Sequence, residues 1–244
     1  MQEHKKKKVL CLLPHRPGRS PGQRFRIEQY IPFLEEKGFE VCISNLISEK
    51  HDRILYQKGK YLQKFFIFLK TILIRKKDLR RVKDYDVVFI YREAVLHGSA
   101  CFEKRIARAR IPIIFDFDDS IWLLDVSEGN RSLKWLKRPG KVAEIIQRSS
   151  ITLTGNRFLS DFASKYGTDV RIIPTTVHTE INIPGNKYPN RSEKICIGWT
   201  GSSTTLKHFS LAVPVLKEIQ QKYPGRIHII VISDASNHFD GLEY

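Results

Sequence analysis

The stretch KVLCLLPHRPGRSPGQRFRIEQYIPFLEEKGFEVCIS, Lys8 to Ser44, decides the fold. Its first apolar run, residues 8–13, reads as a strand buried on both faces, because the apolar residues are continuous rather than alternating. Pro14, Pro17, Gly18, Pro21 and Gly22 then predict a loop with at least two turns. From Gln23 the period changes. Ile27, Ile31 and Leu34 recur at i, i+4 and i+7 with Tyr30 beside them, which predicts a helix kinked at Pro32. Gly38 ends that helix, and residues 39–44 form the next apolar strand. Strand, loop, helix and strand in this order make a βαβ unit.

The alternation continues outward from this unit. Residues 86–91, 111–116, 151–154 and 169–174 read as further strands, and 93–110, 131–149 and 156–166 as helices, the last with Asn156 or Thr154 near its start. Short, β-branched, continuously apolar strands between helices imply a parallel sheet covered on both sides, so residues 1–175 are expected to form one doubly wound α/β domain. Residues 176–193 are polar and contain Pro-Gly, the composition of a linker. The pattern then restarts, with strands at 194–199 and 226–233 around a helix at 205–222. Residues 194–244 are therefore expected to be the first βαβ part of a second α/β domain; two strands and a helix cannot complete a core of their own, so the unit is expected either to pack onto the first domain or to be the front part of something longer.

Composition fits a folded chain. Of 244 residues, 41% are hydrophobic and 11% aromatic, enough for a packed core. No apolar run reaches the roughly 18 residues of a membrane span, and the apolar run at Val9–Leu13 stops at Pro14, too short for a signal peptide. Cys11, Cys42, Cys101 and Cys196 lie far apart with no C-x-x-C pair, as expected of a reduced, cytoplasmic protein. The formal charge is +16, and residues 1–83 alone carry +13 of it. Such a lopsided basic field attracts anions: nucleic acid, a membrane surface or phosphorylated small molecules.

Four segments carry candidate chemistry. The loop His15–Arg26 follows the first strand, where a doubly wound sheet binds ligands. It supplies glycines, a helix N-terminus and Arg16, Arg19, Arg24 and Arg26, all suited to an anion; the plainer reading is a solvated basic turn. In IFDFDDSIW (114–122), Asp116, Asp118 and Asp119 follow a buried strand. Crowded carboxylates can hold a divalent cation or act as a base or hydroxyl acceptor, or they can simply cap a turn. Gly198, Gly201, Ser202, Ser203, Thr204, Thr205 and Lys207 make a turn able to cradle a diphosphate, or an ordinary helix cap. The fourth is 60–83, where Leu62, Phe65, Phe66, Leu69, Ile72 and Leu73 follow helical spacing amid many basic residues. Such a helix can lie on an anionic membrane, or it can turn its apolar stripe to the core and its basic face to water. The histidines show no metal spacing.

In this order the pieces resemble the retaining glycosyltransferases of family 4, which have the GT-B fold. The resemblance rests on SPGQRFRIEQYIPFL (20–34), Tyr91-Arg92-Glu93, DFDDSIW (116–122), GNRFL (155–159), IPT (173–175) and IGWTGS (197–202). It implies two Rossmann-like domains, an N-terminal one for the acceptor and a C-terminal one for a nucleotide-diphosphate sugar. By resemblance, Gly18, Gly22, Gly201, Ser202, Ser203, Thr204 and Lys207 bind the donor, and Arg24, Arg26, Arg92 and Glu93 face the acceptor. Asp118 and Asp119 are the catalytic candidates, Asp118 standing where many relatives have a histidine near the transferred sugar. Thr175–His178 falls where many relatives read Asn-Gly-Val-Asp, and Trp199 and Thr200 stand where an arginine often follows the glycine. The family's Glu-x7-Glu motif lies farther downstream than Tyr244, so weak or no transfer is expected of these 244 residues alone.

The expected reaction moves a sugar from a nucleotide-diphosphate donor to a hydroxyl acceptor, in cell-envelope polysaccharide or glycolipid synthesis. It requires no metal or other cofactor, and it takes place in the cytoplasm or on the inner face of the membrane. Replacing Arg24 and Arg26 together is expected to weaken acceptor binding with little effect on stability. The alternatives are a metal-dependent GT-A transferase using Asp116 and Asp118, or a basic α/β module that binds a membrane surface or nucleic acid without catalysis. Nucleic acid is not expected as a partner, since no recognised binding motif is present.

Overall fold

The computed structural model describes residues 6–55, 57, 59–96, 98–123, 138, 140–183, 195–201, 205–233 and 238–244, with the backbone alone for Lys207. The chain divides into two compact units, Met1–Asn182 and Ile183–Tyr244.

The first unit is a six-stranded sheet in the order β2-β1-β3-β4-β5-β6. The strands are β1 (Lys7–His15), β2 (Phe39–Ile47), β3 (Val87–Tyr91), β4 (Ile113–Phe117), β5 (Ile151–Thr154) and β6 (Val170–Ile172), and every neighbouring pair is parallel. This is the α/β Rossmann-like architecture that the continuous apolar runs imply. Residues of alternate parity go to opposite faces, as the strand period of two requires. Leu10, Leu12, Val88, Ile90, Ile113 and Phe115 pack on one side, and Val9, Cys11, Leu13, Phe89 and Tyr91 on the other. Fully burying one such aliphatic side chain contributes about 1.5–3 kcal/mol. Truncating Leu12, buried in the middle of this sheet, would therefore cost about 2–5 kcal/mol.

The helices of this unit are α1 (Pro21–Arg26), α2 (Ile31–Glu36), α3 (Glu49–Leu55), α4 (Tyr61–Arg80), α5 (Cys101–Arg108), α6 (Gly140–Ile146) and α7 (Arg157–Ala163). Two of them differ from the sequence reading for identifiable reasons. The single kinked helix after Gln23 is instead α1, a 3-10 turn at Glu28–Tyr30, and α2. Pro32 sits in the first turn of α2, where no intrahelical bond needs its missing N–H. The helix expected over 93–110 is confined to α5, because side chains claim the backbone that a helix would need. The Ala94 N–H donates to Glu103 Oε1 at 3.0 Å, Arg75 Nε donates to the Ala94 carbonyl at 2.5 Å, and Lys141 Nζ to the Val95 carbonyl at 2.6 Å. Of the helix expected over 131–149, residues 131–137 and 139 lie outside the described residues. Asn156 caps α7, its side chain accepting from the Leu159 N–H at 3.0 Å.

The second unit pairs β7 (Ile195–Thr200) with β8 (Ile227–Ile232) in parallel, as a sheet of its own. Its helices are α8 (Leu206–Phe209) and α9 (Val213–Lys222), and Phe209, Leu216, Ile229 and Leu242 form its core. The one helix expected over 205–222 is thus two, and Pro214 lies in the first turn of α9. Residues 175–183 carry no helix or strand, and 184–194 of the linker region lie outside the described residues.

Candidate functional site

The strand order reverses at β1 and β3. From β1 the chain moves out to β2, then returns across β1 to β3 and continues the other way. In open α/β sheets the crevice beyond the carboxyl ends of the strands at such a reversal receives ligands. The loop after β1, the turn after β3 and the turn after β4 all end there, and they carry most of the charged residues singled out above.

At the end of β4, the Asp116 carboxylate is 1% exposed and faces the 2% exposed Arg26 guanidinium of α1. Arg26 Nε donates to Asp116 Oδ2 at 3.0 Å, Nη2 donates to Oδ1, and Nη1 donates to the Ile173 carbonyl. The pair is bidentate and ties α1 to β4 and to the chain beyond β6. Burial pushes the Asp116 carboxyl up to about 6, against the pull of Arg26. The expectation that Arg26 can be removed at little cost to stability is therefore corrected, because its removal strands a buried carboxylate. Arg24 differs: it is exposed, with its guanidinium 5.5 Å from the centre of the Phe25 ring.

Asp118 lies just past β4 and is half-buried. The Tyr91 hydroxyl donates to its Oδ1 at 2.8 Å, Arg92 Nε donates to the same oxygen at 3.0 Å, and Arg92 Nη2 stands 2.9 Å from it as an ion pair. Arg92 itself adopts φ 62°, the left-handed region that non-glycine residues rarely take. Its N–H donates to the Asp116 carbonyl at 2.7 Å, and the next N–H, of Glu93, turns back to the Tyr91 carbonyl at 2.8 Å. These bonds hold the guanidinium over the Tyr91 ring, 5.3 Å from its centre, and 3.8 Å from Asp119. Asp119 is exposed and caps its own turn by accepting from the Ser120 N–H at 2.8 Å. Glu93 accepts from the buried Lys141 Nζ at 2.9 Å. Trp122, stacked on Phe162 at 3.8 Å, anchors the turn carrying Asp118 and Asp119 onto α7.

Gly22 closes the group. A Cβ at that position would lie 2.2 Å from the Tyr91 hydroxyl and 2.5 Å from Asp118 Oδ2, so only glycine lets α1 approach this closely. Gly18 takes φ 79° and donates its N–H to Glu28 Oε2 at 2.8 Å. The loop is braced by Gln23, which exchanges hydrogen bonds with the backbone of His15 at 3.0 and 3.1 Å. Arg16 and Arg19 both donate to Asp52 of α3, the former at 3.4 Å, and His15 Nδ1 stands 3.9 Å from the same carboxylate. Burial holds His15 below its ordinary value. Asp52, Gln23 and Glu28 did not stand out in the sequence. For Asp52 the one available signal was its place in the first turn of a helix following β2, which is β1's neighbour in the sheet.

The carboxylates expected as a metal-binding pair thus each have a cationic partner, Arg26 for Asp116 and Arg92 for Asp118. In the second unit, Gly201 directly follows β7 and donates its N–H to the Ile232 carbonyl at 3.0 Å. A Cβ there would meet the Trp199 ring at 2.5 Å. Ser202, Ser203, Thr204 and the Lys207 side chain lie outside the described residues.

No family model matches the sequence, and no curated protein matches it. Solved structures do match. An α-glucosyltransferase solved in complex with UDP and a 13-mer DNA containing an HMU base shares 15% identity at a TM-score of 0.50; the match covers 95% of this chain and 58% of that one. A protein described as a UDP-N-acetylglucosamine 2-epimerase from Listeria monocytogenes shares 12% identity at a TM-score of 0.53, over 96% of this chain and 64% of that one. At these identities the likeness is one of fold, the Rossmann-like α/β architecture of the GT-B kind. The chain spans less than two thirds of either of these proteins.

Proposed function

We propose that the protein is a retaining glycosyltransferase of the GT-B type that takes a nucleotide-diphosphate sugar and delivers the sugar to a hydroxyl acceptor. The observation that carries this reading is the convergence, at the β1/β3 reversal, of a carboxylate oriented by Tyr91 and Arg92 with a glycine loop bearing further arginines. Glycosyl transfer develops positive charge on the sugar and negative charge on the departing diphosphate. Asp118 is suited to the first, by polarising a hydroxyl or facing an oxocarbenium-like carbon. Arg16 and Arg19 are suited to the second, without a required metal. Arg24, Arg92 and Glu93 remain acceptor-side candidates, Asp119 a second catalytic one, and Gly18, Gly22 and Gly201 donor-side ones. Arg26 acts as a positioning residue. The family likeness adds cell-envelope polysaccharide or glycolipid synthesis at the cytoplasmic side as the setting.

The test incubates the purified protein with labelled UDP-, GDP-, ADP- and dTDP-sugars, with and without glycan acceptors, and follows the fate of the sugar by NMR. Transfer with retained anomeric configuration supports the reading. Inversion of a sugar carbon with no acceptor consumed would replace it with epimerase chemistry, as in the second fold relative. No turnover of any donor and no nucleotide binding would end it.

A further inference from the structure

Helix α4 is amphipathic in the sense opposite to that of a core helix. The residues it turns inward are Lys64, Ile67, Thr71, Arg75 and Asp78, all buried and spaced by three or four. Opposite them lie Leu62, Phe65, Phe66, Leu69 and Leu73, of which Leu62 is 70%, Phe66 60% and Leu73 63% exposed. At 100° per residue the two sets sit about half a turn of the wheel apart, so the apolar stripe points straight away from the sheet.

The inward polar set has a structural reason. Arg75 donates to the carbonyls of Leu13 at 3.1 Å, Ser44 at 3.1 Å and Ala94 at 2.5 Å, and pairs with Asp78 at 2.9 Å. It thereby ties β1, β2 and the turn after β3 to one helix. No such reason accounts for three turns of exposed leucine and phenylalanine.

The stripe continues into charge. Its next positions, Lys76, Lys77 and Arg80, are exposed on the same side. Where α4 ends, an open cavity of about 650 Å³ is lined by Lys76, Arg80, Lys83 and Arg105, and no acidic residue lines it among the described ones. A helix C-terminus favours cations, but it does not call for an apolar surface beside them. An exposed apolar stripe with cations on the same side of the helix suits the boundary of a bilayer, where acyl chains and lipid phosphates lie within reach of one helix face. Nucleic acid would need the charge but not the leucines and phenylalanines. No described helix is long and apolar enough to cross a membrane, so α4 would lie along the surface.

We propose that the outward face of α4 docks the protein onto an anionic membrane. Leu62, Phe65, Phe66, Leu69 and Leu73 enter the acyl boundary, and Lys76, Arg80, Lys83 and Arg105 hold lipid phosphate. The assignment stands independently of the reaction catalysed.

The experiment is co-sedimentation of the full chain with vesicles of phosphatidylcholine alone and of phosphatidylcholine with about one third phosphatidylglycerol. The wild type partitions onto the anionic vesicles and not the neutral ones. L62S/F66S/L73S, altered only at exposed positions, binds at least about tenfold more weakly. K76A/R80A/K83A loses about fivefold per charge at low salt. Circular dichroism melting confirms that both variants are folded. Three results would overturn the proposal: no partition of the wild type, vesicle binding unchanged in the serine variant, or binding through these residues to an oligonucleotide but not to vesicles. A dimer of the wild type that the serine variant abolishes, with no vesicle binding, would assign the face to a second copy of the chain instead.

Discussion

Arg26 and Asp116, ninety residues apart in sequence, form a bidentate ion pair in the interior, at the carboxyl end of β4. Breaking such a pair from one side leaves an uncompensated buried charge. Arg26→Ala is therefore expected to destabilise the protein by about 3–5 kcal/mol. Arg24→Ala, on an exposed face, should stay within about 0.5 kcal/mol. Urea unfolding of the two variants checks this, and equal stabilities would contradict the structure.

Gly22 is the point at which α1 meets the Tyr91–Asp118 pair. Gly22→Ala places a methyl group within 2.5 Å of Asp118 Oδ2 and closer still to the Tyr91 hydroxyl, whose ring is buried and cannot swing away freely. The expected cost is about 1–3 kcal/mol of stability. Because the shift falls on the candidate carboxylate, donor turnover should fall at least about tenfold in addition. An alanine variant with wild-type turnover would remove this close approach from the site.

Asp118→Asn keeps an acceptor oxygen for Tyr91 and Arg92 but removes the charge. If Asp118 stabilises positive charge or polarises a hydroxyl, turnover should drop by about 10²–10⁴ while the melting temperature moves only a few degrees. A large drop in melting temperature with normal residual turnover would make Asp118 a structural residue instead.

Asp52 pairs with Arg16 and Arg19, the cations proposed above for the departing diphosphate. Asp52→Asn removes a carboxylate that a bound phosphate must oppose, so calorimetric titration with UDP should show binding tightened about fivefold. Weakened binding would mean that Asp52 orients the two arginines rather than competing for them.

His15 sets a pH dependence. Burial lowers its folded value below the ordinary 6.5, so the unfolded chain takes up this proton at a higher pH than the folded protein does. Its contribution to stability is complete above about pH 6.5 and is lost as pH falls through the lower folded value. Asp116, pushed up to about 6, titrates in the same window with the opposite sign, so the His15 contribution is read as the difference in urea midpoints between the wild type and His15→Gln over about pH 5 to 7. Towards acid the wild-type midpoints should fall relative to those of His15→Gln, and a constant difference would locate the titrating group elsewhere.

The amino-acid sequence by itself determined the fold class, because a parallel sheet covered on both faces leaves a local mark: continuous apolar runs such as 9–13 and 87–91 between turn residues. It also marked the loops after β1 and β4 as candidate places for chemistry, since each carries arginines or aspartates within a few residues of a strand end, whereas the turn after β3 was singled out only through the family resemblance. Partnership was not legible. That Arg26 belongs to Asp116, Arg92 to Asp118 and Arg19 to Asp52 depends on which strand ends lie side by side, and the strand order β2-β1-β3-β4 is written in no local pattern. Helix α4 shows the same division. Its sequence gave an apolar stripe and many cations, and periodicity alone cannot say which face turns inward. The tertiary structure decided it, because the carbonyls of Leu13, Ser44 and Ala94 have a buried donor in Arg75, and serving them requires the polar side of the helix to face the sheet.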